Sequence, residues 1–286
     1  MKIEVTQDEV ISKVFNNNII LVDSNEKEKI LFAKGIGFGK KAGYIIPQGT
    51  KVDKIFVIAE SDNRENLNEI IEKVNDDFFA VCEESIYEVA KQLDKDLNER
   101  IHIGLIDHLY FAVKRIKNKE IIENPFLVEI ETLYPKEFML AGMVARNIGE
   151  FSDVDIPEDE VGFIALHIHS AINDGKISNT LKNSYLGNSI VEHVEDRLGI
   201  EINRKSLDYA RFLTHIKFAV QRILENRPIN NELNMMIKTS YKESFIIAQE
   251  VAEIIEEELK LKVAEDEITF LTIHIERFRV SLNYCE

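Results

Sequence analysis

The sequence predicts a multidomain protein with a small all-β antiparallel N-terminal domain followed by two homologous all-α helical-bundle domains. Three observations support this prediction. The length, 286 residues, suits two or three domains. Short apolar runs separated by polar turns fill positions 1–58, and apolar residues at three- and four-residue spacing follow from residue 68. An internal repeat then divides the helical part into two copies.

Composition excludes several classes of protein. An apolar content of 45% is too high for a disordered chain, although the net charge is -16. Cys82 and Cys285 lie far apart without a CxxC motif, which argues against a disulfide scaffold or a structural zinc site and fits a reducing cytosol. The start lacks a signal-peptide core, and no run of 18 uncharged apolar residues occurs, so we predict a cytoplasmic protein without a membrane span.

The head, residues 1–60, is predicted to be a small β-sheet. Its apolar runs are residues 18–22, 29–33 and 50–58, with glycines concentrated between residues 35 and 43. A sheet of this size is marginally stable alone and would gain from dimerisation. Residues 1–58 carry nine lysines and no arginine against seven acidic residues, whereas the rest of the chain is strongly acidic. This contrast separates a mildly basic head from an acidic body.

Residues of the head suit contact with a nucleic acid. Phe38 lies between two glycines and could stack on a base, and the amides of residues 16–18 have both donor and acceptor edges. The lysines that could contact phosphates are Lys13, Lys34, Lys40 and Lys41. The alternative is structural: Phe38 belongs to the core, residues 16–18 form a turn and the lysines are a solvated edge. The charge contrast favours RNA.

The helical body is predicted to contain two copies of one domain. LIDHLYFAVKRI (105–116) aligns with FLTHIKFAVQRI (212–223), and EDEVGFIALHIH (158–169) aligns with EDEITFLTIHIE (265–276), with six of twelve positions identical in each pair. A third match relates residues 134–148 to residues 241–255. All three matches share one constant offset, the one that separates His108 from His215. The first copy is taken as residues 73–178 and the second as residues 179–286, with a linker at residues 61–72.

Each copy places two histidines at equivalent positions. These four matched histidines are His108, His167, His215 and His274. Core packing, metal binding, acid–base catalysis and acceptance of a phosphoryl group are the open alternatives. A phosphoryl group would add about two negative charges at one point, enough to repack or separate helices. No nucleophile motif, phosphate loop or dinucleotide fingerprint is present, which disfavours an enzyme.

Charged residues near the matched histidines also have alternative interpretations. The runs 158–160 and 265–267 are candidate metal ligands, but acidic residues before an apolar stretch more often begin a helix. Asp107 would cap the helix or orient its neighbour His108, and capping is the favoured interpretation. Arg115 and Arg222 follow His108 and His215 by seven residues, close to the same helix face, and would hold a phosphate or pair with acidic neighbours.

These motifs resemble a known family. KVFNNNIILV and LFAKGIGFGKKAG resemble the co-antiterminator RNA-binding domain of the BglG/LicT family of bacterial transcription antiterminators. The repeated strings around the matched histidines resemble that family's tandem phosphotransferase-system (PTS) regulation domains, and KGIGFGKK is most similar to the branch that controls the glucose permease operon. The resemblance covers essentially the whole chain.

The resemblance implies a function. The head would dimerise and bind an RNA hairpin in the leader of a sugar-uptake operon, which prevents a terminator from forming. The RNA-contact positions of the family fall on Lys13, Asn18, Lys34, Gly35 and Phe38. Ala33 and Lys34 stand where many members have Gly and Arg, and lysine lacks the bidentate fork of arginine. The preceding extension, MKIEVTQDEV, would flank the RNA face or interfere with it.

The resemblance also implies regulation. The four matched histidines would be phosphorylated by PTS proteins: the sugar permease (EIIB) would act on the first copy and inactivate, and the phosphocarrier HPr would act on the second and activate. No cofactor, metal or catalytic residue is implied. The alternative function is a DNA-binding transcription activator with the same regulatory domains. That class needs a helix-turn-helix head, which these β-like residues do not predict.

Overall fold

The computed structural model describes residues 2–24, 27–173, 177–227 and 229–281. Its contacts group the chain into two compact units, residues 1–124 with 136–177 (unit 1) and residues 125–135 with 178–286 (unit 2). Cys285 lies outside the described residues, and Cys82 is buried. No described helix combines the length and the apolarity that crossing a bilayer would require.

The head is the predicted antiparallel sheet. Its strands are β1 (Ile3–Glu4), β2 (Glu9–Val14), β3 (Ile19–Ser24), β4 (Lys27–Phe32), β5 (Ile45–Ile46), β6 (Lys51–Val52) and β7 (Lys54–Ile58). Five strands form one sheet in the order β5-β2-β3-β4-β7, and β1 pairs with β6. The first four residues of β3 are all buried, so both faces of the sheet are covered.

Residues 2–10, the described part of the N-terminal extension, belong to the fold of the head. Ile3 pairs with Val52, and Val10 of β2 pairs with both Asp23 and Ile45. The sequence did not predict β2 because a charged residue stands at a buried position, which hides the alternation of apolar and polar residues typical of a strand. Glu9 occupies a buried position, where its carboxylate accepts a hydrogen bond of 2.5 Å from Lys29 Nζ.

One face of the sheet carries the apolar core of the head, and the other packs on helices. Those helices are α1 (Ser61–Lys73), α2 (Asp76–Leu93) and α3 (Ile101–Lys117). Three ring contacts join this second face to the helices: Phe15–Phe79 at 4.2 Å, Phe32–Tyr87 at 5.2 Å and Phe56–His102 at 4.5 Å between centroids. Each buried aromatic ring contributes about 1.5–3 kcal/mol. The predicted linker, residues 61–72, lies within α1, which packs on α3.

Further helices complete the two copies. They are α4 (Leu127–Leu133), α5 (Pro135–Ser152), α6 (Glu158–Ile172), α7 (Ile177–Leu198), α8 (Leu207–Leu224), α9 (Asn234–Ser240), α10 (Lys242–Leu259) and α11 (Glu265–Ser281). Shifted by the offset of the repeat, the bounds of α4 and α5 coincide with those of α9 and α10. Both acidic runs lie in the first turns of α6 and α11, where the macrodipole favours negative charge. Asn75 and Ser206 cap α2 and α8 through side-chain oxygens.

Helix α4 packs differently from its counterpart α9. Within unit 2, α9 packs on α10 and α11, whereas α4 packs on α8. Tyr209 Oη donates a buried hydrogen bond of 2.5 Å to Glu129, and Lys217 Nζ donates to the carbonyl oxygen of Leu133 at 2.9 Å. Burial raises the pKa of Tyr209, and the bond to Glu129 raises it further. The border between the compact units therefore runs through the first copy.

Candidate RNA surface and paired histidine sites

The backbone joins the asparagine turn (residues 16–18) to the glycine loop (residues 33–43). The N–H of Ala33 donates to the carbonyl oxygen of Asn18 at 3.1 Å, and the N–H of Gly37 donates to that of Asn17 at 2.9 Å. Asn18 Oδ1 accepts from the N–H of Gly35 at 3.0 Å. Three of the predicted RNA-contact residues, Asn18, Lys34 and Gly35, are therefore neighbours.

Glycine is required at particular points of this loop. A Cβ atom on Gly37 would lie 2.3 Å from the carbonyl oxygen of Asn16, so no other residue allows this close approach. Gly35 has a φ of +76°, a conformation that side-chain-bearing residues rarely adopt. The glycines thus fix the loop shape on which the neighbouring side chains are displayed.

Phe38 is displayed outward from the glycine loop. Its side chain is 74% exposed, so the alternative that Phe38 belongs to the core is wrong. Lys34 is also exposed and forms no ion pair within the described part of the chain. An exposed ring beside an amide and a free cation can stack on a base, form hydrogen bonds and neutralise a phosphate.

The asparagine turn combines a structural residue with an exposed one. Asn16 Oδ1 accepts from the N–H groups of Asn18 and Ile19 at 2.8 and 2.9 Å, so the turn interpretation is correct for Asn16. Asn18 is exposed, and its Oδ1 is occupied by Gly35. Lys13 lies instead on β2, with Nζ 2.7 Å from Asp76 Oδ1 at the start of α2.

In the first copy, two matched histidines lie side by side. The rings of His108 on α3 and His167 on α6 have centroids 5.1 Å apart. Glu160, which is only 2% exposed, lies 3.0 Å from His108 Nε2 and accepts a hydrogen bond of 2.8 Å from Arg115. Burial raises the pKa of Glu160, but the contacts with His108 and Arg115 outweigh it and hold the pKa below its usual range.

The second copy repeats this arrangement, but its arginine donates two hydrogen bonds to the carboxylate instead of one. The rings of His215 on α8 and His274 on α11 have centroids 4.9 Å apart. Glu267, 1% exposed, accepts from Arg222 Nε at 2.6 Å and from Arg222 Nη2 at 2.7 Å. His215 Nε2 is more distant, at 3.7 Å from Glu267 Oε2.

Burial keeps three of the matched histidines neutral at pH 7. It lowers the pKa of His167 to about 3, with a further contribution from His108. It lowers the pKa of His215 to about 4, aided by the charge of Arg222, and that of His274 to about 4, aided by His215. A neutral imidazole retains a nitrogen lone pair and is therefore able to accept a phosphoryl group.

The three unmatched histidines have ordinary structural partners. His102 Nδ1 lies 2.9 Å from the buried Glu83 carboxylate, His169 pairs with Glu137 and His193 pairs with Glu250. His167 and His169 point to different partners, as their position on different helix faces predicts. Among the described residues, the histidine rings that face each other are those of the two matched pairs.

The sequence interpretation missed two carboxylates that lie beside the matched histidines. Glu160 and Glu267 are the third residues of the acidic runs, which were considered only as helix starts or metal ligands. Arg115 and Arg222 were predicted to hold a phosphate or to pair with acidic neighbours. In the structure both arginines pair with these carboxylates. Among the described residues, no group of three metal-ligating side chains converges. The constant offset of the repeat, which relates Glu160 to Glu267, was the available signal.

The interpretation of Asp107 as a helix cap is wrong. Asp107 lies in the middle of α3, where backbone N–H groups already have intrahelical partners, and its carboxylate pairs with Lys73 of α1. Asp107 therefore contributes to the packing of α1 on α3 rather than to a helix terminus.

Comparison with known proteins gives matches over the whole chain. The family model of the CAT RNA binding domain matches residues 10–65, and that of the PRD domain matches residues 83–171 and residues 188–278. The chain is 34% identical over 273 residues to Protein GlcT of Staphylococcus saprophyticus, covering 95% of this chain and 97% of that protein. It is 31% identical over 274 residues to the GlcA/glcB genes antiterminator of Staphylococcus carnosus, covering 94% and 95%.

A crystal structure of GlcT CAT-PRDI is also similar. It is 36% identical in sequence, covers 58% of this chain and 98% of that chain, and superimposes with a TM-score of 0.49. The family assignment rests on the domain matches and on the identity shared along nearly the full length. The chain belongs to the BglG/LicT family of transcription antiterminators, in which a CAT RNA-binding domain precedes two PTS regulation domains.

Proposed function

We propose that this protein binds an RNA hairpin in the leader of a PTS permease operon and thereby prevents a terminator from forming. The active form is a homodimer in the cytoplasm, and no small molecule is turned over. The relatives named GlcT and GlcA/glcB genes antiterminator support a glucose-type permease operon as the target. The strand-built head gives no support to the alternative of a helix-turn-helix DNA-binding activator.

One observation carries the RNA proposal. Phe38 is an exposed ring on a loop whose shape is fixed by glycines and by the bond from Gly35 to Asn18. A ring held outward on a fixed loop offers a face on which an unpaired base can stack. Lys34 supplies a single positive charge beside the ring, and its ammonium contacts a phosphate as a point charge without a bidentate fork.

The test is hairpin binding by the full-length protein. Replacing Phe38 with Ala removes base stacking, which contributes about 1–3 kcal/mol per base, so we expect affinity to fall about five- to 150-fold. Phe218→Ala is the matched control, because this ring is 49% exposed on the helical body. We expect the control to bind like the wild type. Equal effects of the two changes would overturn the proposed RNA surface.

Lysine contacts with phosphates also predict a dependence on salt. Lys13 and Lys34 are the proposed phosphate ligands in each head, and each neutralised phosphate releases counterions. Hairpin affinity should therefore decrease steadily as the salt concentration increases. The Lys34→Gln variant should show a shallower slope on a log–log plot.

We further propose that the four matched histidines accept phosphoryl groups from PTS proteins. The imidazole nitrogen of this chain would form a bond to the phosphorus atom while the bond from that phosphorus to the donor's side chain breaks. EIIB of the permease acts on His108 and His167 and inactivates, and HPr acts on His215 and His274 and activates. The close ring pairs and the low pKa values of His167, His215 and His274 support this proposal.

The physical consequence in the first copy is repulsion. Glu160 is buried 3.0 Å from His108, so about two added negative charges on the imidazole would lie against a carboxylate.

Incubation of the full chain with phosphorylated EIIB or HPr, followed by mass spectrometry, tests the proposal. We expect acid-labile phosphate on the matched histidines and none on His102, whose ring is buried. Absence of phosphate from the matched histidines would contradict it.

A further inference from the structure

Helix α2 presents two carboxylates to the side of the head that carries the RNA-contact residues. Asp76 Oδ1 lies 2.7 Å from Lys13 Nζ, and Glu84 Oε1 accepts a hydrogen bond of 3.0 Å from Asn16 Nδ2. Asp76 and Glu84 are eight residues apart, about 12 Å along the helix axis. They therefore meet β2 and the asparagine turn at two separate points.

A ring contact between these two points holds α2 in place. Phe15 stacks on Phe79 with centroids 4.2 Å apart and planes inclined by 24°. Phe15 directly precedes Asn16, and Phe79 is one turn from Asp76. The apolar contact fixes the distance between helix and turn, so only the side chains of Asp76 and Glu84 must still be ordered when they contact the head.

We propose that α2 is an intramolecular competitor for RNA, in which Asp76 and Glu84 occupy Lys13 and Asn16 in place of RNA. The inference rests on the proposed function, since Lys13 is an RNA contact by family resemblance. A phosphate that binds Lys13 must displace the Asp76 carboxylate. Phe38 and Lys34 remain open, so one part of the surface is available to RNA while the other part is occupied.

The competition has a modest size that suits a regulated contact. Lys13 and Asp76 are partly exposed, and the Asn16–Glu84 bond is exposed, so both are partly screened by water. Releasing both contacts should raise hairpin affinity about three- to tenfold. Movement of α2 away from the head would release both at once.

The test compares two pairs of substitutions in the full-length protein. Asp76→Asn with Glu84→Gln removes the competing charges. Asp77→Asn with Glu88→Gln is the matched control, because it removes the same charge from the same helix and neither carboxylate contacts the head within the described residues. We expect three- to tenfold tighter hairpin binding for the first pair and a change below about twofold for the control.

A double-mutant cycle locates the effect. Lys13→Gln should weaken binding and should also abolish the gain produced by Asp76→Asn, because the carboxylate then has no ammonium to occupy. Equal gains for both pairs would show a general charge effect and overturn the inference. No gain for the first pair, while Phe38→Ala still weakens binding, overturns the competitor and leaves the proposed function standing. A wild-type chain without preference for the hairpin over a scrambled RNA overturns both.

Discussion

The two helical copies place the same residues at the same points but divide one buried carboxylate differently. In the first copy Glu160 is shared between His108 at 3.0 Å and Arg115 at 2.8 Å. In the second copy Arg222 takes both oxygens of Glu267, and His215 lies at 3.7 Å. Sequence identity at a site therefore does not fix how its hydrogen bonds are shared.

The surroundings of the second histidine of each pair differ as well. A cleft of about 500 Å³ beside His167 is lined by Gly104 and Ser170 among others. The equivalent positions in the second copy are Arg211 and Arg277, which line a cleft of about 550 Å³ and both pair with Asp208. The second-copy cleft thus carries two guanidinium groups, whereas the first-copy cleft carries one, that of Arg100. The two histidine sites therefore differ in the charge that surrounds them.

The largest expected effect comes from removing the shared carboxylate. Glu267→Gln leaves Arg222 without its charged partner and should cost unit 2 about 3 kcal/mol, since breaking a buried ion pair leaves an uncompensated charge. Glu160→Gln loses one arginine bond and one histidine contact and should cost about 2 kcal/mol. Native-state hydrogen exchange of α8 and α3 measures the two costs. Glu265→Gln, at an exposed residue, is the control and should cost less than about 0.5 kcal/mol. A larger cost in the first copy would contradict the comparison.

The second prediction concerns acid. His215 and His274 have folded-state pKa values of about 4 against an ordinary value of 6.5, so the unfolded chain binds more protons between these values. Stability is therefore complete above pH 6.5 and is lost as the pH falls toward 4. Between pH 6.5 and pH 5 each histidine should cost about 1.5 kcal/mol, so the loss in unit 2 should reach about 3 kcal/mol. Hydrogen exchange of α8 and α11 at both pH values measures it, and an unchanged free energy would contradict the low pKa values.

A smaller effect separates the two arginines. Arg222→Lys removes a bidentate fork and should cost about 1 kcal/mol, because an ammonium cannot donate in parallel to both oxygens. Arg115→Lys keeps the single bond to Glu160 and should cost about 0.5 kcal/mol. Urea unfolding of the two variants, followed through exchange in each unit, gives the ranking. Equal costs would show that bidentate geometry adds nothing in the second copy.

The smallest predicted effect is a pKa change. Burial and His215 lower the pKa of His274, and the charge of Arg277 adds to this, so Arg277→Gln should raise the pKa by a fraction of a unit. Titration of the His274 ring by nuclear magnetic resonance measures the change. Arg279→Gln is the control, because Arg279 lies on the same helix but bonds to Glu276. A pKa shift of the same size in both variants would show that Arg277 has no local effect on the pKa of His274.

The repeat made the histidine pairs predictable from sequence. One constant offset relates His108 to His215 and His167 to His274, and equivalent residues on amphipathic helices share equivalent neighbours. The flanking glycines made an exposed Phe38 one of two alternatives, and the structure decides for it. Both inferences needed only local pattern and repetition.

Tertiary contacts hid the remaining features. Strand β2 was missed because Glu9 is buried by pairing with Lys29, which removes the alternation that identifies a strand. The packing of α4 on α8 depends on the bond from Tyr209 to Glu129, and the equivalent residues in the other copy are His102 and Met236. The contacts of Glu160 and Glu267 differ because the distance from the carboxylate to the histidine changes by a fraction of an ångström. No spacing rule contains such information.

Hairpin affinity of the full-length His108→Asp variant tests most directly whether the paired histidines control the RNA surface. An aspartate there adds negative charge beside Glu160, and we predict hairpin binding at least about fivefold weaker than in His108→Asn, which has similar size and no charge. The same pair of changes at His215 should not weaken binding. Wild-type affinity in His108→Asp would contradict the account.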